Sequence, residues 1–386
     1  MSAPTQPAVS VRPKESFLER MRYFWQRVSE GRQIDDLWSQ FAADARASYG
    51  FYGHDVDWEK IQQLPRWRRP LHIAKEFFWA LLLKMTPARR ILLLIALVIL
   101  VIAGLSLLFG SQDPFDMKIE FAAALLLLLL LSLELADKVT MKRDLEIARE
   151  IQTWLVPSKA PEVPGADIAF ATRPQNSVAG DYYDAFYPNP DAGPTGKLMV
   201  VIADVAGKSV PAALLMATLQ ASLHTIAGEG ASLGELVTRL NRYACAHSLD
   251  GRRFTTAVLS EYDPALRRLT YVNAGHNAPV LRRVNGDLQQ LDVGGLPLGI
   301  EAAATHQTDA IELHPGEALI FFTDGVVEAF NEDGQEFGNE RWLGAIRALP
   351  DWGAQETLQF LMKRVDEFVG STRQSDDITC LVFRCM

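Results

Sequence analysis

LMVVIADVAG, residues 198–207, is a strand with an awkward ending. Leu198 to Ala203 is an unbroken apolar run rich in β-formers, the pattern of a strand buried on both faces. Asp204 closes the run, and a small Val-Ala-Gly turn follows. A carboxylate at the mouth of a buried strand is costly unless a partner or a cation takes up its charge. The pattern recurs. ALIFFTDG, residues 318–325, is an apolar strand ending in Asp324 and Gly325. Gly180-Asp181 opens a strand in GDYYDAF, and SDDITCLVF places Asp376 and Asp377 just before a final apolar run.

Each of these motifs alone also reads as a plain turn, because Asp-Gly pairs are turn formers. Together they carry a second reading. If the strands share a stack of sheets with those ends together, the carboxylates converge, and their repulsion calls for a cation. An oxygen-only, carboxylate-rich set suits a hard divalent ion such as Mg²⁺ or Mn²⁺. No His-Cys set of zinc type accompanies it, and the three cysteines, Cys245, Cys380 and Cys385, lack ligand spacing and read as reduced thiols. His276, alone between Gly275 and Asn277, reads as a turn residue whose ring bonds to backbone, with a general-acid role as the alternative.

Around these motifs, residues 165–386 alternate strand and helix patterns. Strands are expected over 167–173, 180–187, 198–204, 254–261, 268–273, 278–284, 309–313, 317–323 and 377–384. Helices are expected over 210–227, 233–248, 340–348 and 354–368. Strands outnumber helices, and turns such as Asn285-Gly286 and Asp333-Gly334 suit hairpins. The expected fold class is α+β, a β-sandwich of two mostly antiparallel sheets flanked by helices.

The first third of the chain is of another kind. ILLLIALVILVIAGLSLLFG, residues 91–110, is uncharged over a length that spans a bilayer as a helix. It starts too far along the chain and runs too long for a cleaved signal peptide. FAAALLLLLLLSL, residues 121–133, spans if extended over 117–136, with a re-entrant or interfacial segment as the alternative. Arg66, Arg68, Arg69, Lys75, Lys84, Arg89 and Arg90 precede the first span, and Lys138, Lys142 and Arg143 follow the second. The positive-inside rule then predicts a two-pass hairpin in the inner or plasma membrane, with both termini and the soluble domain in the cytoplasm. The loop SQDPFDMK, residues 111–118, is the part left outside.

Before the hairpin, residues 1–15 read as a flexible tail, and 16–47 carry helical spacing. LHIAKEFFWALLLKM, residues 71–85, reads as an aromatic-rich amphipathic helix, lying in the interface or packed on cytosolic neighbours. After it, residues 134–155 form a mixed-charge helix with Met141, Leu145, Ala148 and Leu155 near a heptad seam and a second stripe of Ile147, Ile151 and Trp154. A solvated connector and a helix that pairs with its copy in a homodimer both fit. Pro157, Pro161 and Pro164 end it. The expected organisation is an N-terminal cytosolic region over 1–88, a transmembrane hairpin over 89–136, a linker helix over 137–160 and the sandwich domain over 161–386. A formal charge of −9 argues against a nucleic-acid partner.

GDYYD at 180–184, ADVAGKSVPAALLMA at 203–217, FTTAVL at 254–259, NAGHNAPVL at 273–281, PLG at 297–299, FFTDGVVEAFN at 321–331, FG at 337–338 and SDDITCLVF at 375–383 resemble, in order, the SpoIIE-type branch of the metal-dependent PPM protein serine/threonine phosphatases. EIAREIQTWLVP at 146–157 is similar to that branch's entry helix. The resemblance implies two Mn²⁺ or Mg²⁺ ions between two packed sheets. It also implies that Asp204 bridges both ions, the Val205 carbonyl completes one, Asp324 and Asp376 hold the other, and Asp181 ligates directly or through water. Asp377 fits less well, because adjacent strand residues point to opposite faces. Ala179 and Ser209 stand where the family commonly has glycine, and both are small enough for tolerance to be expected.

The activity so implied is hydrolysis of phosphoserine or phosphothreonine by a metal-activated water. The implied substrate is a phosphorylated regulatory protein, similar to an anti-anti-sigma factor in partner-switching signalling. The alternatives are a phosphatase-like signalling scaffold without turnover and a metal-dependent phosphodiesterase.

Overall fold

The computed structural model describes Pro65 and residues 69–108, 114–247 and 253–386. The expected tail over 1–15, the helical spacing of 16–47 and residues 111–113 of the expected loop lie outside the described residues, and residues 114–118 of that loop are helical. The chain divides into two compact units, Met1–Asp137 and Lys138–Met386.

In the first unit, helix α1 spans Arg69–Lys84 and α2 spans Pro87–Leu108. Helix α3 runs from Pro114 to Leu155 without a break. The second apolar run and the charged stretch after it are therefore one helix, where the sequence suggested two elements. No Gly or Pro interrupts 117–155, so the shift from leucine to mixed charge leaves the helical backbone unaltered. Ala96 and Ala103 on α2, and Ala123 and Leu130 on α3, are buried, each pair seven residues apart. Three of the four are alanines, and small side chains let apolar helices approach closely. Arg89 donates to Asp137 at 2.6 Å and lies 3.5 Å from Glu134. Among the described residues, three helical stretches are long and apolar enough to cross a membrane: Pro87–Leu105, Lys118–Leu155 and Ser209–Gly228.

The second unit is built on two sheets. Its strands are β1 Ala166–Arg173, β2 Tyr182–Phe186, β3 Leu198–Val205, β4 Thr255–Asp263, β5 Arg268–Ala274, β6 Val280–Arg282, β7 Leu288–Gln290, β8 Gly294–Gly295, β9 Asp309–Glu312, β10 Ala318–Phe322 and β11 Ile378–Cys385. Its helices are α4 Ser209–Gly228, α5 Leu233–Ala246, the single turn α6 Asp324–Val327, α7 Gly338–Arg347 and α8 Ala354–Val369. One sheet has the order β1-β11-β10-β6-β7, all antiparallel. The other has the order β2-β3-β4-β5-β8, with β9 also on β5, and only β5–β8 is parallel. All nine expected strands and four expected helices form. The short β7 and β8 and the one-turn α6 are additions.

The run Leu198–Ala203 is apolar because both its faces are covered. Val200 and Ile202 point between the sheets, where they meet Leu319, Phe321, Leu381 and Phe383. Met199, Val201 and Ala203 point outward beneath α4 and α5. The other sheet repeats this, with Ile320, Phe322, Cys380 and Val382 outward under α7 and α8. Strand alternation thus separates three apolar layers. The third apolar helix, α4, commits Ala212, Met216 and Leu223 to this core. Its length and composition therefore follow from burial in the sandwich.

Candidate metal centre

Five carboxylates gather where strands of both sheets end. Asp204 is the penultimate residue of β3, opposite Thr256 of β4. Asp181 precedes β2, and Asp324 opens α6 one residue after β10, with Thr323 between them. Asp376 and Asp377 precede β11. β2, β3 and β4 belong to one sheet and β10 and β11 to the other, so the cluster lies at one end of the sandwich.

Their mutual influence shows in their acidities. Burial first, then the charges of Asp324 and Asp376, push Asp204 up to about 7. Burial and then Asp204 hold Asp181 well above the usual carboxylate range. Asp324 is raised by burial and by Asp376, and Asp377 by burial against the backbone N–H groups that bond it. Like charges pressed together in partial burial are unstable unless a cation joins them. Lys208 supplies one, its Nζ lying 2.8 Å from Asp376 Oδ2.

The contacts sort the five into roles. Asp377 accepts from the backbone N–H of Gln175 and of Gly180, each at 2.6 Å, so it ties the 175–180 loop to β11. Asp181 accepts from the Thr323 hydroxyl at 2.9 Å. A Cβ at Gly180 would stand 3.2 Å from the Val205 carbonyl and 3.7 Å from Asp204 Oδ1, so Gly180 packs flat against the Asp204–Val205 corner. Asp181, Asp204, Asp324 and Asp376 are left as side-chain oxygen donors, with the Val205 carbonyl beside them. Among the described residues, no three Asp, Glu, His or Cys side chains already stand at metal-holding spacing. The donor chemistry nonetheless fits a hard divalent ion: oxygens only, excess negative charge and a single ammonium.

His276 lies outside this cluster. Its Nε2 is 3.1 Å from the Phe322 carbonyl and its Nδ1 is 2.8 Å from the Thr256 hydroxyl. The carbonyl can only accept, which places the proton on Nε2 and makes Nδ1 the acceptor. The ring thereby links β4 to β10, and the turn-residue reading holds. Burial pushes its pKa down to about 4. A base with a folded pKa below its unfolded value of about 6.5 costs the fold nothing at neutral pH. The fold then loses stability as pH falls through that window, by about 1.4 kcal/mol per pH unit. His276→Gln is expected to lack this component. The stability advantage of the parent over the variant, followed by thermal melting, should shrink between pH 6.5 and about 4.

Ser209 departs from the expectation. Its φ is 63°, left-handed for a non-glycine residue. Its small size is therefore beside the point; the position favours glycine for its backbone conformation. Ser209→Gly is expected to gain about 1 kcal/mol, read as a higher melting temperature. Ala179 has no such strain. Its backbone N–H and C=O are both bonded by the side chain of Gln152 on α3, at 2.9 and 2.7 Å. Gln152, Thr323 and Arg253, whose guanidinium lies 3.4 Å from the Ala206 carbonyl, are the neighbours that sequence reading missed. Only Thr323 carried a local signal, standing directly before Asp324.

The family model of Stage II sporulation protein E (SpoIIE) matches residues 194–386, half of the chain. The chain belongs to the SpoIIE family. Asp204, Val205, Asp324 and Asp376 fall inside the SpoIIE match, and Asp181 precedes it. Protein IcfG of Synechocystis sp. is 27% identical over 279 residues, covering 65% of this chain and 43% of that protein. Phosphoserine phosphatase RsbU of Bacillus subtilis is 28% identical over 195 residues, covering 50% of this chain and 56% of that protein. The chain thus spans about half the length of the curated relatives it matches. The SiaA-PP2C domain of Pseudomonas aeruginosa superposes with a TM-score of 0.54 at 22% identity, covering 65% of this chain and 99% of that one. The SpoIIE-family domain therefore has the PP2C-like sandwich fold.

Proposed function

We propose that this chain is a membrane-anchored, metal-dependent protein serine/threonine phosphatase. The observation that carries the reading is the convergence of Asp181, Asp204, Asp324 and Asp376 from both sheets on one end of the sandwich. The name of RsbU, a phosphoserine phosphatase, supports the choice of reaction. Asp181, Asp204, Asp324, Asp376 and the Val205 carbonyl would hold two Mn²⁺ or Mg²⁺ ions. When bound, such ions supply a water ionised near neutral pH and neutralise charge on the phosphoryl group. The remaining work belongs to the chain. Thr323 fixes one oxygen of Asp181, Lys208 orients Asp376, and Asp377 holds the loop that carries Gly180 and Asp181 against Asp204.

The substrate in this reading is a phosphorylated regulatory protein of anti-anti-sigma type. The domain assignment follows the sequence: a cytosolic region over 1–88, a two-pass hairpin over 89–136, a linker helix over 137–160 and the phosphatase over 161–386. The excess of Lys and Arg flanking the hairpin supports cytoplasmic termini and a catalytic domain at the inner or plasma membrane. Ile147, Ile151 and Trp154 are exposed along α3, which supports pairing of that helix in a homodimer.

The test is phosphate release from a phosphoserine peptide by the full chain in detergent micelles, with Mn²⁺, with Mg²⁺ and with a chelator. Release that needs the ion is the expected result. A lack of release with either ion overturns the reading.

A further inference from the structure

Arg253 stands two residues before β4, in register just beyond the end of β3, where Val205 pairs with Thr255. Its neighbour Phe254 accepts a backbone bond from Ala206 at 2.9 Å, which holds the two segments side by side. The guanidinium donates to the Ala206 carbonyl at 3.4 Å, a long and weak bond. It also lies so close over Gly207 that a Cβ there would collide with it. Gly207 has φ +116°, so the loop accommodates the guanidinium both by its lack of a side chain and by its backbone.

The side chain is half-buried and has no carboxylate partner among the described residues, although the carbonyl it bonds lies only two residues after Asp204. A guanidinium offers five donors, and one long bond to a carbonyl leaves most of them unused. The other cation at the site is already committed, because Lys208 bonds both Asp376 and the Ser375 carbonyl at 2.8 Å. A phosphoryl dianion approaching this acidic end needs a cation that the carboxylates have not claimed. A planar fork of free donors beside the Asp204 loop fits two oxygens of such a group at once.

We propose that Arg253 is the phosphate-recognising residue of the site, binding the phosphoryl oxygens of the substrate and of product phosphate beside the Asp204–Gly207 loop. This rests on the phosphatase reading above. It adds a recognition residue that touches the phosphoryl group without holding metal.

The experiment compares the full chain with Arg253→Ala and Arg253→Lys. KM and kcat are measured for p-nitrophenyl phosphate with Mn²⁺, together with inhibition by inorganic phosphate. Phosphate binding without turnover is followed by phosphorus NMR with Mg²⁺. Arg253→Ala should raise KM and the phosphate inhibition constant together, by roughly tenfold or more, with a smaller change in kcat. Arg253→Lys should recover part of both, whereas Arg253→Gln, which can still donate to the Ala206 carbonyl but carries no charge, should recover neither. Unchanged phosphate binding in folded Arg253→Ala overturns the proposal. If the alanine variant fails to fold, unchanged phosphate binding in Arg253→Lys and Arg253→Gln overturns it equally. Absence of turnover in the parent chain tells against the phosphatase reading, while the NMR titration still decides whether Arg253 binds phosphate.

Discussion

Asp204→Asn is expected to lower metal-dependent phosphate release by roughly a thousandfold, since even outer-shell changes at metal sites cost ten- to a hundredfold in affinity or activity. The substitution keeps the shape of the side chain and removes its charge. Asp204 is the carboxylate on which Asp324, Asp376 and Asp377 all press, so it sits at the electrostatic centre of the cluster. The same fact predicts an opposite effect on folding. A carboxylate whose folded pKa is raised favours the folded state below its unfolded pKa of about 4 and loses that contribution as pH rises through about 7. At pH 8 the ionised Asp204 is a burden on the metal-free fold, and Asn lifts it. In chelator at pH 8, Asp204→Asn should therefore melt at or above the temperature of the parent chain, by roughly 1–2 kcal/mol of added stability. Adding Mn²⁺ should raise the melting temperature of the parent and leave that of the variant nearly unmoved. A variant that melts lower in chelator, or that keeps the metal-induced rise, would remove Asp204 from the metal centre.

The contrast between those two effects also marks what the sequence could disclose. Asp204 and Asp324 stood out because each breaks a long apolar run, and the run exists because both faces of β3 and β10 are covered. Asp376 and Asp377 were equally visible as a pair, yet their division of labour was not. It depends on Gln175 and Gly180 reaching Asp377 across about 200 residues of chain, and on Lys208 reaching Asp376. The same holds for Gln152 on Ala179 and Arg253 on Ala206: such contacts join distant segments and leave no period or local motif. Short elements were lost for a different reason. The three-residue β7, the two-residue β8 and the four-residue α6 are shorter than any repeat by which strand or helix is recognised. Ser209 shows a third limit, since a left-handed φ on serine is a property of the loop it closes and residue size does not report it.

Gly325→Ala is expected to destabilise the domain by about 3 kcal/mol or more and to abolish phosphate release with it. In sequence, Gly325 looks like half of an Asp-Gly turn, where alanine is tolerated if the backbone stays right-handed. Its φ is in fact not positive, so conformational freedom is not what the position demands. The demand is for space. A Cβ on Gly325 would run into the backbone carbonyl of Asp377 and stand 3.4 Å from Ile378 Cγ1. The obstacle is backbone, and it cannot rotate aside as a side chain would. To admit one methyl group, α6 must separate from the start of β11. That movement would part Asp324, which opens α6, from Asp376 and Asp377, which precede β11. It would also strain the Thr323 hydroxyl, which bonds Asp181 at 2.9 Å and accepts from the Thr379 N–H at 3.0 Å. Stability and metal holding should therefore fall together in Gly325→Ala, in contrast to Asp204→Asn, where they move apart. The measurement is a pair of melts, in chelator and in excess Mn²⁺, beside phosphate release. A variant that melts with the parent in chelator would show that α6 and β11 separate freely, and the close packing of the Gly325 and Asp377 backbones would then play no part in assembling the site.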